Sequence, residues 1–324
     1  MKSNNKRLYG QALLLIFLTV VCLISSLMIY LGATQFRSML PIFQLLDGNN
    51  EGSLLAPKPD ANPGVTDLEP FSGVQLYMIL GSDYRPEAGL RTDTIILVAI
   101  DGGTGKASMV SFPRDLWVSI PGYGEQRINT VMQMGGFQLL ADTLQTNFGV
   151  YPTHYAMIDM EGFMEVIDVL GGIEVTTDQY TGDACETYLN LNKWCEVHPG
   201  TINMDRDWAL WYVRARYNSS DFDRMRRNQE VVKAIFNKSI SPEGLLKMPL
   251  LLVIFNTQVD SNINPDKILP MVKFAGNINS NEDVRRFIIG PNEITSWTTP
   301  AGASVLLPNL GAIQAILQEA LTFD

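Results

Sequence analysis

Histidine and cysteine are scarce in this chain, and their scarcity narrows the chemistry open to it. Two histidines, His154 and His198, occur among 324 residues, and they stand apart in sequence. A Ser/His/Asp or Cys/His catalytic group is therefore weakly supported. Of the three cysteines, Cys22 falls in an apolar segment. The other two, Cys185 and Cys195, can form a disulfide if the protein is exported. A zinc site is less favoured, because no second pair of Cys or His ligands stands at zinc spacing.

Positive charge is also in deficit, which argues against nucleic acid as a partner. Lysine and arginine total 24 against 34 aspartates and glutamates, a net charge of −10. Proteins that follow a phosphate backbone usually present a basic face. Internal repeats and low-complexity tracts are absent too, so a solenoid is excluded. The length suits one large domain or two small ones, with enough apolar residues for a sizeable core.

The N-terminal region has an uncharged, strongly apolar run at residues 12–32. About 20 such residues span a bilayer core as a helix. Lys2, Lys6 and Arg7 precede the run. This placement of positive charge predicts a single-pass protein of the cell membrane, with a cytoplasmic tail at 1–11, a transmembrane helix at 12–32 and an extracytoplasmic C-terminal domain. A cleaved signal peptide is the alternative, although the run exceeds the usual length of its apolar region. Residues 33–70, rich in Pro and Gly towards their end, are expected to form a flexible tether.

From residue 71 onward, strand and helix patterns alternate, which predicts an α/β fold: a layered α-β-α domain with a central mixed sheet. Residues 71–240 are expected to form the catalytic domain, and 241–324 an extension that completes the same domain. Strands are expected at 74–80, 94–100, 108–112, 155–158, 173–175, 250–255 and 284–289. Helices are expected at 130–148, 161–170, 224–240, 265–274 and 310–321.

Residues 102–108, GGTGKAS, look like a phosphate-binding loop but fail its requirements. Ile100 occupies the position of the first glycine, and Ala107 stands where a magnesium-binding hydroxyl is needed. The segment is instead predicted to be a hairpin turn between two strands.

Charged residues collect where the first three predicted strands end or begin. These residues are Asp83, Arg85, Arg91, Asp93, Arg114 and Asp115. Ligands of open α/β sheets bind at strand ends. Carboxylates with few other ligand types suit Mg²⁺ shared with substrate phosphates, and guanidiniums suit phosphate oxygens. A set of ordinary surface salt bridges is the competing interpretation.

A second basic cluster contains five arginines within residues 214–227 of an otherwise acidic chain. Arg214 and Arg216 would share one side of an extended segment. Arg224 and Arg227 would share a helical face, whereas Arg226 would point elsewhere as a surface residue. This concentration of like charge favours a bound anion such as a diphosphate.

An ordered series of short motifs resembles the LytR–CpsA–Psr family. The motifs are Gly81-Ser82-Asp83, Arg91-Thr92-Asp93-Thr94, Ser111-Phe112-Pro113-Arg114-Asp115, Ile128-Asn129, Gly135-Gly136, Ile158-Asp159, Gly162-Phe163, the run 167–173, the run 209–216 and Asp221-Phe222-Asp223-Arg224. The resemblance covers about residues 74–240. The chain departs from the family pattern at three positions. Asn228 stands where the family usually has Gln, so Gln229 is a candidate substitute for that residue. Thr92 replaces a common Ser, and Arg206 replaces a usual Gly.

The resemblance implies a cell-wall transferase that moves an anionic glycopolymer from a polyprenyl diphosphate carrier to peptidoglycan. It implies Mg²⁺ held by Asp83 and Asp93, and Asp93, Arg114 and Arg216 as catalytic residues. The implied diphosphate ligands are Arg91, Arg114, Arg214, Arg216, Arg224, Arg227 and Asn228. The proton acceptor is expected to be Asp93, with Asp115 and Asp221 as alternatives. A lipid-diphosphate hydrolase and a non-catalytic regulator that binds polyprenyl phosphate remain alternative functions.

Overall fold

The computed structural model describes residues 61–68, 70, 73–85, 89–217, 220–264 and 284–323. The predicted cytoplasmic tail, the transmembrane helix at 12–32 and the helix at 265–274 lie outside these residues. Within the described ranges, no helix has both the length and the apolar character needed to cross a membrane.

Strands and helices alternate along most of the described chain. The strands are β1 (Val74–Arg85), β2 (Gly89–Asp101), β3 (Ala107–Ser111), β4 (Trp117–Ile120), β5 (Gly124–Arg127), β6 (His154–Ile158), β7 (Ile173–Thr177), β8 (Thr181–Ala184), β9 (Trp194–Val197), β10 (Gly200–Met204), β11 (Val259–Ser261), β12 (Val284–Ile288), β13 (Ile294–Thr298) and β14 (Ser304–Pro308). The helices are α1 (Val131–Phe148), α2 (Met160–Leu170), α3 (Arg206–Arg214), α4 (Asp221–Ile240), α5 (Pro242–Gln258) and α6 (Leu310–Leu321), with a 3₁₀ turn at Ile128–Thr130.

The central sheet has six strands in the order β11-β6-β1-β2-β3-β12. Strands β1, β2 and β3 form an antiparallel meander, while β6 pairs with β1 and β12 pairs with β3 in parallel. The predicted mixed sheet is therefore confirmed. The turn between β2 and β3 is the segment that imitates a phosphate-binding loop, and Asp101 closes it by accepting hydrogen bonds from Gly103 N (2.8 Å) and Thr104 Oγ1 (2.6 Å).

Helices cover both faces of this sheet, because successive side chains of a strand point to opposite sides. Ile95 and Leu97 face one side and join the main apolar core with Leu140 and Leu144 of α1 and Leu317 of α6. On the other side, α4 packs against β2, β3 and β12, and α2 packs against β1. The layered α-β-α prediction is confirmed.

The C-terminal part contributes β12 to the central sheet and α6 to the main core. Ile313 and Leu317 of α6 are fully buried in the main core. The strand predicted at 250–255 is wrong, because these residues lie within α5. A short apolar run suits either a buried strand or a helix. Here Ser241 caps a helix by accepting a hydrogen bond from Gly244 N at 3.1 Å, and Pro242 supplies the helical φ angle at its first position.

The folded domain begins before residue 71, so the last part of the predicted tether is also wrong. Leu68 is buried in the main core, and its backbone N donates to Gly149 O at 2.7 Å. Gly149 ends α1 with a φ of 74°, and a Cβ atom there would lie 2.0 Å from Thr66 O. Glycine at 149 thus allows residues 62–68 to pass against the end of α1.

A smaller apolar cluster lies outside the central sheet and joins α2, α3 and α4 to β7, β9 and β10. Its edge carries the β8–β9 hairpin, in which Cys185 and Cys195 are joined by a disulfide. Cys195 is fully buried in this cluster, so the bond connects the hairpin loop to the cluster.

Candidate functional site

The first charged cluster lies within a long hairpin rather than beyond the ends of two strands. Strand β1 continues to Arg85, and β2 already begins at Gly89, so Asp83 and Arg91 pair across the hairpin. The prediction that these residues follow and precede the strands is therefore wrong. Since β3 runs parallel to β1, Arg114 after β3 nevertheless reaches the same edge, as expected.

Asp93 occupies a β-bulge in this hairpin. Gly81 pairs with Thr94 and Ser82 pairs with Thr92, so Asp93 is the extra residue on β2. A bulge interrupts the alternation of side chains. Thr92 accordingly points to the α1 side, where its Oγ1 donates to Asn129 O at 3.3 Å. Asp93 and Thr94 both face the opposite side, where they line the same cavity.

Arg114 lies among three carboxylates at this edge. Its Nη1 atom is 3.0 Å from Asp93 Oδ2, and its Nε atom is 3.4 Å from Asp115 and 3.9 Å from Asp221. Burial pushes the pKa of Arg114 down, but the charges of Asp93, Asp221 and Asp115 outweigh burial and raise it. Arg114 therefore remains a fixed cation beside Asp93, although it does not itself line the cavity.

Arg214 and Arg216 come from a helix end, not from an extended segment. Arg214 is the last residue of α3, Ala215 turns the chain with extended backbone angles, and Arg216 follows. Both arginines line the cavity. The backbone N atom of Tyr217 donates to Asp183 Oδ2 at 3.1 Å, as does that of Arg216, which ties this segment to the β8–β9 hairpin.

Arg224 is the most buried cation of the cavity, with 5% of its surface exposed. Its Nη2 atom pairs with Asp221 Oδ1 at 2.6 Å, and its Nε atom is buried without a hydrogen-bond partner in the described structure. Burial lowers the pKa of Arg224, Asp221 offsets part of that effect, and Arg114 and Arg216 add to the lowering. A nearby anion would offset the cost of burying this charge.

The remaining two arginines of α4 have roles that were not predicted from the sequence. Arg227 is 1% exposed, and it donates from Nε to Tyr212 O at 3.0 Å and from Nη2 to Ala215 O. It holds the end of α3 and does not line the cavity, contrary to its predicted place among the diphosphate ligands. Arg226 is not an ordinary surface residue either, because it pairs with the buried Glu230 at 2.6 Å.

Asn228 lines the cavity and donates to Thr94 Oγ1 at 2.8 Å. Gln229 cannot substitute for it, since Gln229 lies on the sheet side of α4 and donates to Ser111 Oγ and Phe287 O, both at 2.8 Å. Arg206, which had no predicted role, forms an exposed ion pair with Asp168 at 2.7 Å.

The cavity between the sheet and α2, α3 and α4 has a volume of about 400 Å³. Its charged and polar lining consists of Ser82, Asp83, Asp93, Thr94, Asp159, Arg214, Arg216, Arg224 and Asn228. Its apolar lining consists of Ile79, Leu80, Ile158, Met160, Phe163, Leu210, Val213, Val231 and Val232. Charged and apolar side chains therefore share the lining of one cavity.

The structure brings most of the predicted site residues to this cavity. Six of them line it: Asp83, Asp93, Arg214, Arg216, Arg224 and Asn228. Arg114 contacts it through Asp93, while Arg91 and Arg227 are not part of the lining. Asp159 also lines the cavity but had no predicted role, although aspartate is a favoured residue at the start of a helix. Its side chain caps α2 by accepting from Gly162 N at 2.9 Å.

Asp83 and Asp93 fit the ligand set of a shared Mg²⁺ ion. Mg²⁺ in proteins is typically held by one or two carboxylates together with substrate phosphates and water. No group of three or more His, Cys, Asp or Glu residues suited to a metal occurs in the described part of the chain. Two carboxylates in one cavity with the arginines suit an ion that is shared with a phosphorylated ligand.

Comparison with known proteins agrees with this fold. The crystal structure of B. subtilis TagV superposes with a TM-score of 0.63 at 21% identity, covering 78% of this chain and 98% of that one. Regulatory protein MsrR of Staphylococcus aureus is 30% identical over 251 residues, which is 76% of this chain and 74% of the relative. The polyisoprenyl-teichoic acid–peptidoglycan teichoic acid transferase TagU of Oceanobacillus iheyensis is 31% identical over 229 residues, covering 67% and 68%.

A layered α/β domain with an apolar cavity and clustered arginines is suited to an amphiphilic anion. The model of the LytR_cpsA_psr family matches residues 68–310. The chain belongs to this family, which confirms the resemblance found in the sequence motifs.

Proposed function

We propose that this protein transfers an anionic cell-wall glycopolymer from a polyprenyl diphosphate carrier to peptidoglycan. One observation carries the proposal: the nearly buried cation Arg224, with an unpartnered Nε atom, lines the same cavity as nine apolar side chains. A ligand that satisfies both features has a diphosphate head and a hydrocarbon tail. The transferase named as a relative acts on a polyisoprenyl-linked polymer, in agreement with this substrate class.

The donor would bind with its tail against α2, α3 and α4 and its diphosphate near Arg214, Arg216 and Arg224. Guanidiniums bind phosphate oxygens through paired, charge-assisted hydrogen bonds. Asp83 and Asp93 would hold Mg²⁺, which supplies further positive charge to the diphosphate. We also propose the predicted location, a single-pass membrane protein with this domain outside the cytoplasm, since a polyprenyl carrier resides in the membrane.

In the reaction, a sugar hydroxyl of peptidoglycan gives its proton to a carboxylate and forms a bond to the donor. Attack on the sugar-linked phosphorus breaks the bond to polyprenyl phosphate, whereas attack on the anomeric carbon releases polyprenyl diphosphate. In both cases negative charge grows on the leaving group, and fixed arginines stabilise it. Among the three predicted proton acceptors, Asp93 alone lines the cavity. We assign the role to Asp93, with Mg²⁺ then held mainly by Asp83 and the proton taken by Asp93 Oδ1, the oxygen other than the one that pairs with Arg114.

The test compares Arg224→Gln with the matched control Arg206→Gln in the full-length protein. The substrates are a polyprenyl-diphosphate-linked polymer and peptidoglycan, with Mg²⁺ or with a chelator. Because Arg224 stabilises charge in the transition state, we expect Arg224→Gln to lower acceptor-dependent transfer about 100-fold. Arg206→Gln should leave the rate unchanged, since Arg206 pairs with Asp168 outside the cavity. Chelation should lower transfer, and the mass of the lipid product identifies the bond that breaks.

Two other outcomes would contradict the proposal and support the alternatives. Phosphate release that needs no acceptor would indicate a lipid-diphosphate hydrolase. Saturable donor binding without turnover would favour a regulator, the role named for the Staphylococcus relative.

A further inference from the structure

The outer face of the β8–β9 hairpin carries exposed aromatic rings close to the cavity. Tyr180 and Tyr217 are 52% and 56% exposed. Trp194 and Tyr217 pack edge to face with ring centroids 4.8 Å apart, and Tyr180 lies 5.3 Å from the ring of His198. We define Tyr180, Trp194, Glu196 and Tyr217 as the hairpin platform.

The Glu196 carboxylate lies among the rings of the hairpin platform. Trp194 Nε1 donates to Glu196 Oε1 at 2.9 Å. Partial desolvation and the neighbouring Glu196 carboxylate raise the pKa of the Tyr180 hydroxyl. Gly182 is paired with Glu196 in the hairpin, and a Cβ atom at 182 would lie 2.5 Å from Tyr180 Oη. Glycine there leaves room for the Tyr180 ring over the hairpin.

The hairpin platform rests on a rigid base that is joined to the cavity. Cys195 and Val197 point to the opposite side of β9 and are buried, and the disulfide to Cys185 fixes the hairpin loop. Asp183 of β8 accepts hydrogen bonds from the backbone of Arg216 and Tyr217, and Arg216 lines the cavity. A molecule on the platform would therefore lie next to the proposed diphosphate.

The chemistry of this surface suits an uncharged glycan. Flat C–H faces of sugar rings pack on aromatic rings, which offer rigid contact area at little conformational cost, and a carboxylate accepts hydrogen bonds from sugar hydroxyls. Residues 178–198 contain four acidic residues and one lysine. This negative charge repels a phosphate-rich polymer but not neutral sugars.

We infer that the hairpin platform binds the neutral glycan strand of the peptidoglycan acceptor and presents it to the cavity. This inference rests on the proposed transfer reaction for the identity of the glycan. The donor polymer then binds to another surface, because donor and acceptor must be bound at the same time and meet at the diphosphate.

The experiment uses the full-length protein in lipid nanodiscs and two probes: a β-1,4-linked tetramer of N-acetylglucosamine and a glycerol-phosphate oligomer. Saturation-transfer NMR should detect the neutral tetramer on the wild-type protein, and Tyr180→Ala and Tyr217→Ala should each lose this signal while any signal from the polyanion stays unchanged. Tyr180→Ala and Tyr217→Ala should each raise the acceptor KM roughly tenfold and leave the donor KM unchanged. Trp297→Ala removes an aromatic side chain that is 38% exposed on β13 and should change neither value.

Two results would overturn the inference: loss of the polyanion signal in the platform variants, or an increase in donor KM in these variants. If the wild-type protein transfers nothing, the tetramer still tests the platform. Loss of its binding in Tyr180→Ala and Tyr217→Ala would then uphold a glycan site while the transfer reaction fails. Absence of saturable tetramer binding in active protein would refute the glycan site and leave the transfer reaction intact.

Discussion

Individual charged residues in this domain divide between those that face the cavity and those that hold it together. Arg224 and Arg227 are three positions apart on α4, and both are buried, yet Arg224 lines the cavity while Arg227 donates to backbone carbonyls of Tyr212 and Ala215. Their spacing predicts a shared helical face but does not reveal which neighbour each side chain meets. The sequence therefore identified the arginine cluster but not the separate role of each member.

Arg227→Met is expected to destabilise the protein, because it leaves two buried carbonyl groups without their donor. We expect a loss of about 2–4 kcal/mol in the free energy of unfolding, measured by urea denaturation. Arg227→Lys should lose less, since a lysine can still donate to one of the carbonyls. Unchanged stability together with a raised donor KM would instead show that Arg227 contacts the diphosphate directly.

The positions of the helices and strands depend on capping and strand pairing at their ends as much as on their apolar pattern. Ser220 and Asp223 form a reciprocal capping box at the start of α4, which fixes where Arg224 enters the cavity. Strand β2 starts five residues earlier than its apolar run suggests. Its bulge at Asp93 depends on pairing with β1, so a pattern read along one strand cannot reveal it.

Helix α5 contributes a pH-dependent interaction at its first turn. Hydrogen bonds from Lys238 and Lys247 lower the pKa of Glu243 to about 2 from 4.5. Because the folded-state pKa is depressed, the stabilisation is present above pH 4.5 and is lost as the pH falls towards 2. Urea denaturation of wild type and Glu243→Gln should show a stability difference at neutral pH that disappears across this range. A difference that persists at pH 2 would contradict the assignment.

The whole domain depends on its C-terminal residues, even though they carry no recognised motif. Strand β12 pairs with β3, and α6 covers the sheet on the side opposite α4. The sequence correctly placed β12 and α6 in this part. It placed a strand within α5, since a short apolar run fits both structures.

A chain that ends at Asn264 should fail to fold, because it lacks the strand and helix that cover one face of the main core. The buried residues lost include Ile313, Leu317 and Leu321. Their burial together with that of their neighbours contributes on the order of 10 kcal/mol, comparable with the whole stability of a domain. Calorimetry should show no cooperative transition for this chain, whereas the control Leu317→Ala should lose about 2–5 kcal/mol and still unfold cooperatively. A cooperative transition in the shortened chain would refute the claim.

The sequence by itself determined the family, the alternation of strands and helices, and the types of residue available for binding a phosphorylated ligand. These features follow from local patterns and ordered motifs, which a linear chain records directly. Only the tertiary structure decided that Asp93 faces the cavity, that Arg227 supports α3, and that an apolar lining adjoins the arginines. Each of these features depends on strand register or on packing between segments that are distant in sequence. The conformation and contacts of such a side chain are decided by residues that become its neighbours only in the folded chain.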